Sequence, residues 1–112
     1  MENYIAWADF EKVEMATGTI IAVDAFPEAR KPAYKLTIDF GPRGIKRSSA
    51  QLTRLYQPAD LLGMQVVAVI NFPPKQIATF RSECLVLGAL GPDGEVTLLQ
   101  TERKTENGSR IA

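Results

Sequence analysis

Apolar and polar positions alternate most cleanly along Tyr34-Lys35-Leu36-Thr37-Ile38-Asp39-Phe40. A repeat of two predicts a half-buried strand, because successive side chains leave a strand on opposite faces. Gly41-Pro42-Arg43-Gly44 predicts a turn, and Ile45 to Ser49 the returning arm of a hairpin. Upstream, the β-branched run from Thr17 to Val23 predicts the first long strand, with Gly18 marking a bulge or bend and Pro27 ending it. Met64 to Phe72, Glu83 to Ala89 and Val96 to Gln100 are strand-sized runs, bounded by Gly63, Pro73-Pro74, Gly91 to Gly94 and a polar tail containing Asn107-Gly108. Two short stretches predict helix. Asp9 to Val13 offers Asp9 as an N-cap, and Ala50 to Tyr56 places Leu52, Leu55 and Tyr56 on one face before Pro58 closes it. Loose ends are expected in the first few residues and from Thr101 onward.

The predicted order is five or six strands with one small helix between the third and fourth. That is the order of the all-β, five-stranded OB-fold Greek-key barrel, whose face and loops bind oligonucleotides and peptides; an SH3-like barrel or a sandwich fragment remains open on pattern alone. At 112 residues and 46% hydrophobic content, the chain fills one modest core. Residues 1–112 are therefore expected to form a single domain.

Absences narrow the function. There is no His, so there is no imidazole base, no Ser/His/Asp or Cys/His triad and no His-containing metal site. The single Cys84 excludes an intrachain disulfide, an all-cysteine zinc site and a CxxC pair, and its apolar neighbours Leu85, Val86 and Leu87 predict a buried small hydrophobe. No phosphate-cradling glycine pattern occurs among the eight glycines. The expectation is a protein without catalytic residues, metal or cofactor. Met1-Glu2-Asn3 is acidic where a secretory signal is basic, and no apolar run has bilayer-spanning length, so the chain is expected to be cytoplasmic, with no membrane insertion.

The net charge is zero, but its distribution is uneven. Between Arg30 and Arg81 nine basic residues face two acids, a local excess of +7, as an anion-binding face requires. Asn71-Phe72-Pro73-Pro74-Lys75 adds an aromatic beside a cation where proline forces the strand to leave its sheet. Such a pair suits a stacked base or an apolar peptide side chain.

Six segments in order carry a family likeness. Thr17-Gly18-Thr19-Ile20, Phe26-Pro27-Glu28-Ala29-Arg30, Lys35-Leu36-x-Ile38-Asp39-Phe40-Gly41, Ser48-Ser49-Ala50-Gln51, Val69-Ile70-Asn71-Phe72-Pro73-Pro74 and the run from Phe80 to Gly88 resemble the CsaA family of bacterial protein-export chaperones, built on the tRNA-binding domain. The likeness covers the chain from about Phe10 on. It implies an OB-fold homodimer with affinity for unfolded or presecretory polypeptide, a link to the secretion machinery, and kinship with tRNA-binding domains of methionyl-tRNA synthetases. The wider family's Lys-Met-x-Gly, Ser, Gly-Met pattern is altered: Thr79 holds the Gly position, Ser82 is retained and Cys84-Leu85 replaces Gly-Met. This departure weighs against high-affinity tRNA recognition and agrees with the CsaA branch. The RNA-facing set that the resemblance carries over is Arg47, Ser48, Asn71, Lys75, Arg81 and Ser82. Phe72 and Tyr56 are the candidates for lining a peptide groove, Phe72 at its proline break and Tyr56 at the end of the predicted helix.

Overall fold

The computed structural model describes residues 3–112, so the acidic Met1-Glu2 start lies outside the described residues. Strands β1 (Met15–Ala25), β2 (Tyr34–Asp39), β3 (Ile45–Ala50), β4 (Gln65–Val69) and β7 (Leu85–Val86) form one antiparallel sheet in the order β3-β2-β1-β4-β7. Its two outer strands nearly meet. The Glu83 N–H donates to the Arg47 carbonyl at 2.8 Å, and the Ser48 hydroxyl donates to the Cys84 carbonyl at 2.9 Å. The result is the nearly closed five-stranded barrel of an OB-fold. Two small hairpins are added, β5 (Lys75–Ile77) with β6 (Phe80–Ser82), and β8 (Gly88–Leu90) with β9 (Val96–Leu98). The first was not anticipated, because each arm has only three residues and no alternation can be read over that length.

β1 serves both halves of the barrel, pairing with β4 through Met15 to Thr19 and with β2 through Thr19 to Ala25. The register slips between Ile20 and Ala22, so the bulge falls at Ile21 and not at Gly18. Gly18 has a different reason. A Cβ there would stand 2.6 Å from Cδ1 of Phe40 and 2.7 Å from Cγ2 of Ile38, so the absent side chain makes room for the core. That core gathers Ile20, Leu36, Ile38, Phe40, Leu61 and Val66, all fully buried, around smaller residues including Cys84.

Both predicted helices move. Helix α1 is Trp7–Glu11, and Asp9 acts from within its first turn, its carboxylate accepting the Ala6 N–H at 2.9 Å. Ala50 to Tyr56 forms no helix, since Ala50 completes β3 and a single turn follows. Pro58 instead opens helix α2 (Pro58–Leu61), where its missing N–H costs nothing and its fixed φ suits the first turn.

The tail is not loose. Ser109 accepts from the Thr17 N–H at 3.0 Å, Gly108 donates to the Thr17 carbonyl at 2.7 Å, and Ile111 donates to the Met15 carbonyl at 3.0 Å. Gln65 binds both Thr105 and Asn107. Thr17 pairs with Val67, so the Thr17 side chain, bonded to the Glu106 carbonyl, shows that the tail lies over the outer face of β1 and β4. The run from Val66 to Ile70, apolar on both faces, predicts from sequence alone a second subunit to cover the outer face, but Val66 to Val69 are all buried within one chain, so β4 does not by itself demand one.

Gly18→Ala is expected to lower stability by about 1–3 kcal/mol, since the Phe40 ring and Ile38 must move to admit a methyl group. Urea unfolding should show a lower midpoint at an unchanged slope; an unaltered midpoint would mean that the core yields at no cost.

Candidate functional site

The pairing of β2 with β3 sets Thr37 opposite Arg47 and Lys35 opposite Ser49, with Leu36, Ile38 and Ser48 on the other face, in the core. Lys35, Thr37, Arg47 and Ser49 therefore share the outer face of the barrel. Above it rise the β1–β2 loop, residues 26–33, and the β5–β6 hairpin. A second, small core joins them. Phe26 and Phe80 meet at 5.4 Å between ring centroids, with Ala33 buried beside them and Ala29 and Ile77 packed against them.

Two grooves border the hairpin. The first, about 560 Å³, is lined by Arg30, Lys31, Ser49, Gln51, Lys75 and Gln76 among others, with Glu28 its one acid. The second, about 460 Å³, is lined by Phe72, Pro73, Cys84 and Leu85, and shares Ser49, Gln51, Lys75 and Ile77 with the first. One trough thus has a cationic end and an apolar end. Phe72 is 54% exposed and Leu85 49%, each unusually open for its type.

The sequence-derived residues separate accordingly. Arg47, on the outer face, and Lys75, in the trough, are exposed, as is Arg81 on β6, opposite Gln76. Ser48 is 1% exposed and its hydroxyl is spent on the Cys84 carbonyl, so it faces the core and not RNA. Ser82 accepts the Ser49 N–H at 3.1 Å, fastening the hairpin to β3. Asn71 accepts the Glu14 N–H at 3.0 Å and donates to the Lys12 carbonyl at 2.6 Å, which ties the end of β4 to the entry of β1. Phe72 lines the apolar end of the trough. Tyr56 does not: it packs on the main core, its hydroxyl accepting the Leu98 N–H at 3.0 Å and its carbonyl the Tyr34 hydroxyl at 2.8 Å. Of the nine basic residues in the charged segment, Arg43 is occupied by Glu14 and the Gly108 carbonyl, and Arg54 by the Asp93 carbonyl.

Sequence reasoning missed Lys35, Phe26, Phe80, Ile77 and Leu85 as site residues. For Lys35 a signal existed, because the alternation that buries Leu36 and Ile38 must turn Lys35 outward. Among the described residues no group of three or more His, Cys, Asp or Glu gathers as a metal site.

The thiol at the apolar end of the trough is held protonated near neutral pH. Burial pushes Cys84 from its ordinary 9.0 to about 11, aided by the Glu83 charge and opposed by the Ser48 hydrogen bond and by Lys46. The thiol donates weakly to the Arg47 carbonyl at 3.7 Å.

Comparison with known proteins completes the picture. Residues 15–110 match the family described as a tRNA binding domain. A crystal structure of chaperone CsaA from Bacillus anthracis superimposes with a TM-score of 0.93 and 47% identity over 98% of this chain and 100% of that one. CsaA from Picrophilus torridus gives 0.91 and 50%, over 97% and 100%. The methionine–tRNA ligase of Thermococcus kodakarensis is 33% identical over 110 residues, 97% of this chain. That alignment takes in 14% of the ligase, so the chain spans about one seventh of that relative's length.

The Cys84 shift has a testable sign. Below pH 9 both folded and unfolded thiols are protonated; between pH 9 and about 11 the unfolded chain ionises first, so the stability this site contributes is lost as pH rises through that window. Denaturation midpoints should fall across it in wild type and fall less in Cys84→Ala. Parallel curves would show that the thiol ionises over the same pH range in the folded and the unfolded chain.

Proposed function

The chain belongs to the tRNA-binding domain family, and on that premise we propose that it is a non-catalytic chaperone of the CsaA type, holding unfolded or presecretory polypeptide as a homodimer without ATP. The observation that carries this reading is the apolar end of the trough, where Phe72 and Leu85 are open to solvent beside Pro73 and Ile77. Exposed apolar side chains around a concavity gain free energy by taking up a partner's apolar side chains. An extended polypeptide supplies those without requiring a folded surface. Transfer of presecretory clients to the secretion machinery belongs to the same reading.

The dimer finds its support at the N-terminus. Trp7 is 82% exposed, Tyr4 and Ile5 are exposed beside it, and a groove of about 550 Å³ is lined by Ile5, Ala6, Trp7, Phe10 and Ala112. A second copy of the chain would cover this patch.

A second reading, binding of tRNA through phosphates, is favoured by the gathering of Arg30, Lys31, Lys35, Arg47 and Lys75 on one side of the barrel.

Fluorescence anisotropy with a labelled unfolded peptide separates the readings. Phe72→Ala is expected to cost about 2 kcal/mol, roughly thirtyfold in affinity, with little dependence on salt. Normal binding by Phe72→Ala, together with loss of binding in Arg47→Ala and at high salt, would show that charge holds the peptide and would remove the apolar mechanism. Sedimentation equilibrium is expected to give a dimer at micromolar concentration that dissociates in Trp7→Ser; a monomeric wild type rules the dimer out.

A further inference from the structure

Two cations on the outer face are held in an unusual way. The Arg47 guanidinium carbon lies 4.4 Å from the centroid of the Phe80 ring, and the Lys35 ammonium lies 4.8 Å from Phe26 and 5.8 Å from Phe80. Their strands place them as diagonal neighbours, since Lys35 pairs with Ser49 and Arg47 with Thr37. Among the described residues, neither has a carboxylate oxygen within 4.0 Å of its charged nitrogens; Glu83 reaches only the Arg47 backbone N–H, at 3.0 Å.

An ion pair and an aromatic face both restrain a long basic side chain, but with opposite effects on a ligand. A carboxylate neutralises the cation, which must then be pulled away from its partner before it can serve a phosphate. A ring face attracts the cation through its quadrupole and carries no net charge, so the positive charge remains available. The edge N–H groups of a guanidinium resting on a ring stay free to donate in its plane. Phe80 is itself fixed, at 2% exposure between Phe26 and Ile77, so the platform does not move when the ligand arrives.

We propose that Phe80, with Phe26, is a positioning residue for RNA: the ring pair holds Arg47 and Lys35 in place, unneutralised, on the β2–β3 face, where they meet two phosphates of the RNA backbone. The proposal rests on the tRNA reading above and adds to it the device that orders the cations before contact. Both side chains otherwise lose rotamer freedom on binding, and the rings remove part of that loss beforehand.

A double-mutant cycle on the full chain tests this, with unfractionated bacterial tRNA as the probe and affinity measured across a salt series. Replacing Lys35 and Arg47 together by Gln should lower the salt slope by about two units, one for each lost phosphate contact. Phe80→Leu keeps both charges, so the slope should hold while affinity falls about threefold to tenfold, part of the rotamer-ordering cost that the rings had removed in advance. In the Lys35→Gln, Arg47→Gln background, Phe80→Leu should cost less than about twofold, because the ring then has nothing to position. A merely structural Phe80 would cost the same in both backgrounds, and that outcome overturns the proposal while leaving the tRNA reading intact. An unchanged slope in the Lys35→Gln, Arg47→Gln variant shows that these two cations meet no phosphate and overturns the proposal alone, whereas a wild type that does not bind tRNA overturns the tRNA reading and the proposal with it. Should Phe80→Leu fail to fold, Phe26→Leu against Lys35→Gln completes the same cycle. The Arg47 Nε–H proton gives a check without RNA, since the Phe80 ring current displaces its resonance in wild type and Phe80→Leu should remove that displacement.

Discussion

The pairing register of β2 against β3 decides what this protein can show to a ligand. With a side-chain period of two, a slip of β3 by one residue against β2 would turn Arg47 and Ser49 into the barrel and expel Ser48 and Ala50. The Gly41–Arg43 turn fixes that register. Gly41 adopts φ +61° and Gly44 φ +94°, a region that side-chain-bearing residues disfavour, and the Phe40 N–H closes the loop onto the Gly44 carbonyl at 2.9 Å. Apolar burial on one face and charge on the other are thus set by the same turn. Neither could be changed without the other.

The site is assembled by elements that do not belong to the main sheet. Residues 26–33 and the β5–β6 hairpin are far apart in sequence, and they are joined by contact between Phe26 and Phe80, while the bond from the Ser49 N–H to the Ser82 hydroxyl fastens the hairpin to β3. This small core has few members, and all its apolar burial serves to keep two loops upright over one face. Main-core packing defines the barrel; satellite packing defines the trough. The cationic and apolar ends of that trough share Ser49, Gln51, Lys75 and Ile77, so a ligand at either end meets the same middle.

Long-period features were legible in the sequence and short or distant ones were not. The strand from Tyr34 announced itself by alternation, and the hairpin to β3 by its glycines. The helix at Pro58 was misread because proline ends one helix and begins another with equal ease, and only the chain's path after Ala50 decides between them. Ser48 and Ser82 look like RNA contacts in a motif, yet their hydroxyls satisfy backbone groups that a strand-by-strand reading does not reveal. Tyr56 was placed with Phe72 by its nearness to a proline, whereas its hydroxyl is bound to β9, 42 residues later. Phe80 is a core residue of a cluster that no local pattern encodes.

The closure of the tail over β1 also bears on how the molecule is made. Thr17 and Glu106 are joined by a hydrogen bond that spans 89 residues, and Gly108 and Ser109 bracket Thr17 on the backbone. A growing chain therefore holds the outer side of β1 and β4, Val67 included, uncovered from the time Val69 is made until the segment from Thr105 to Ile111 follows. Such long-range closure slows folding and leaves apolar strand surface open to other nascent chains in the meantime. A protein proposed to shelter unfolded polypeptides is itself, until the segment from Thr105 to Ile111 is in place, in need of the same shelter.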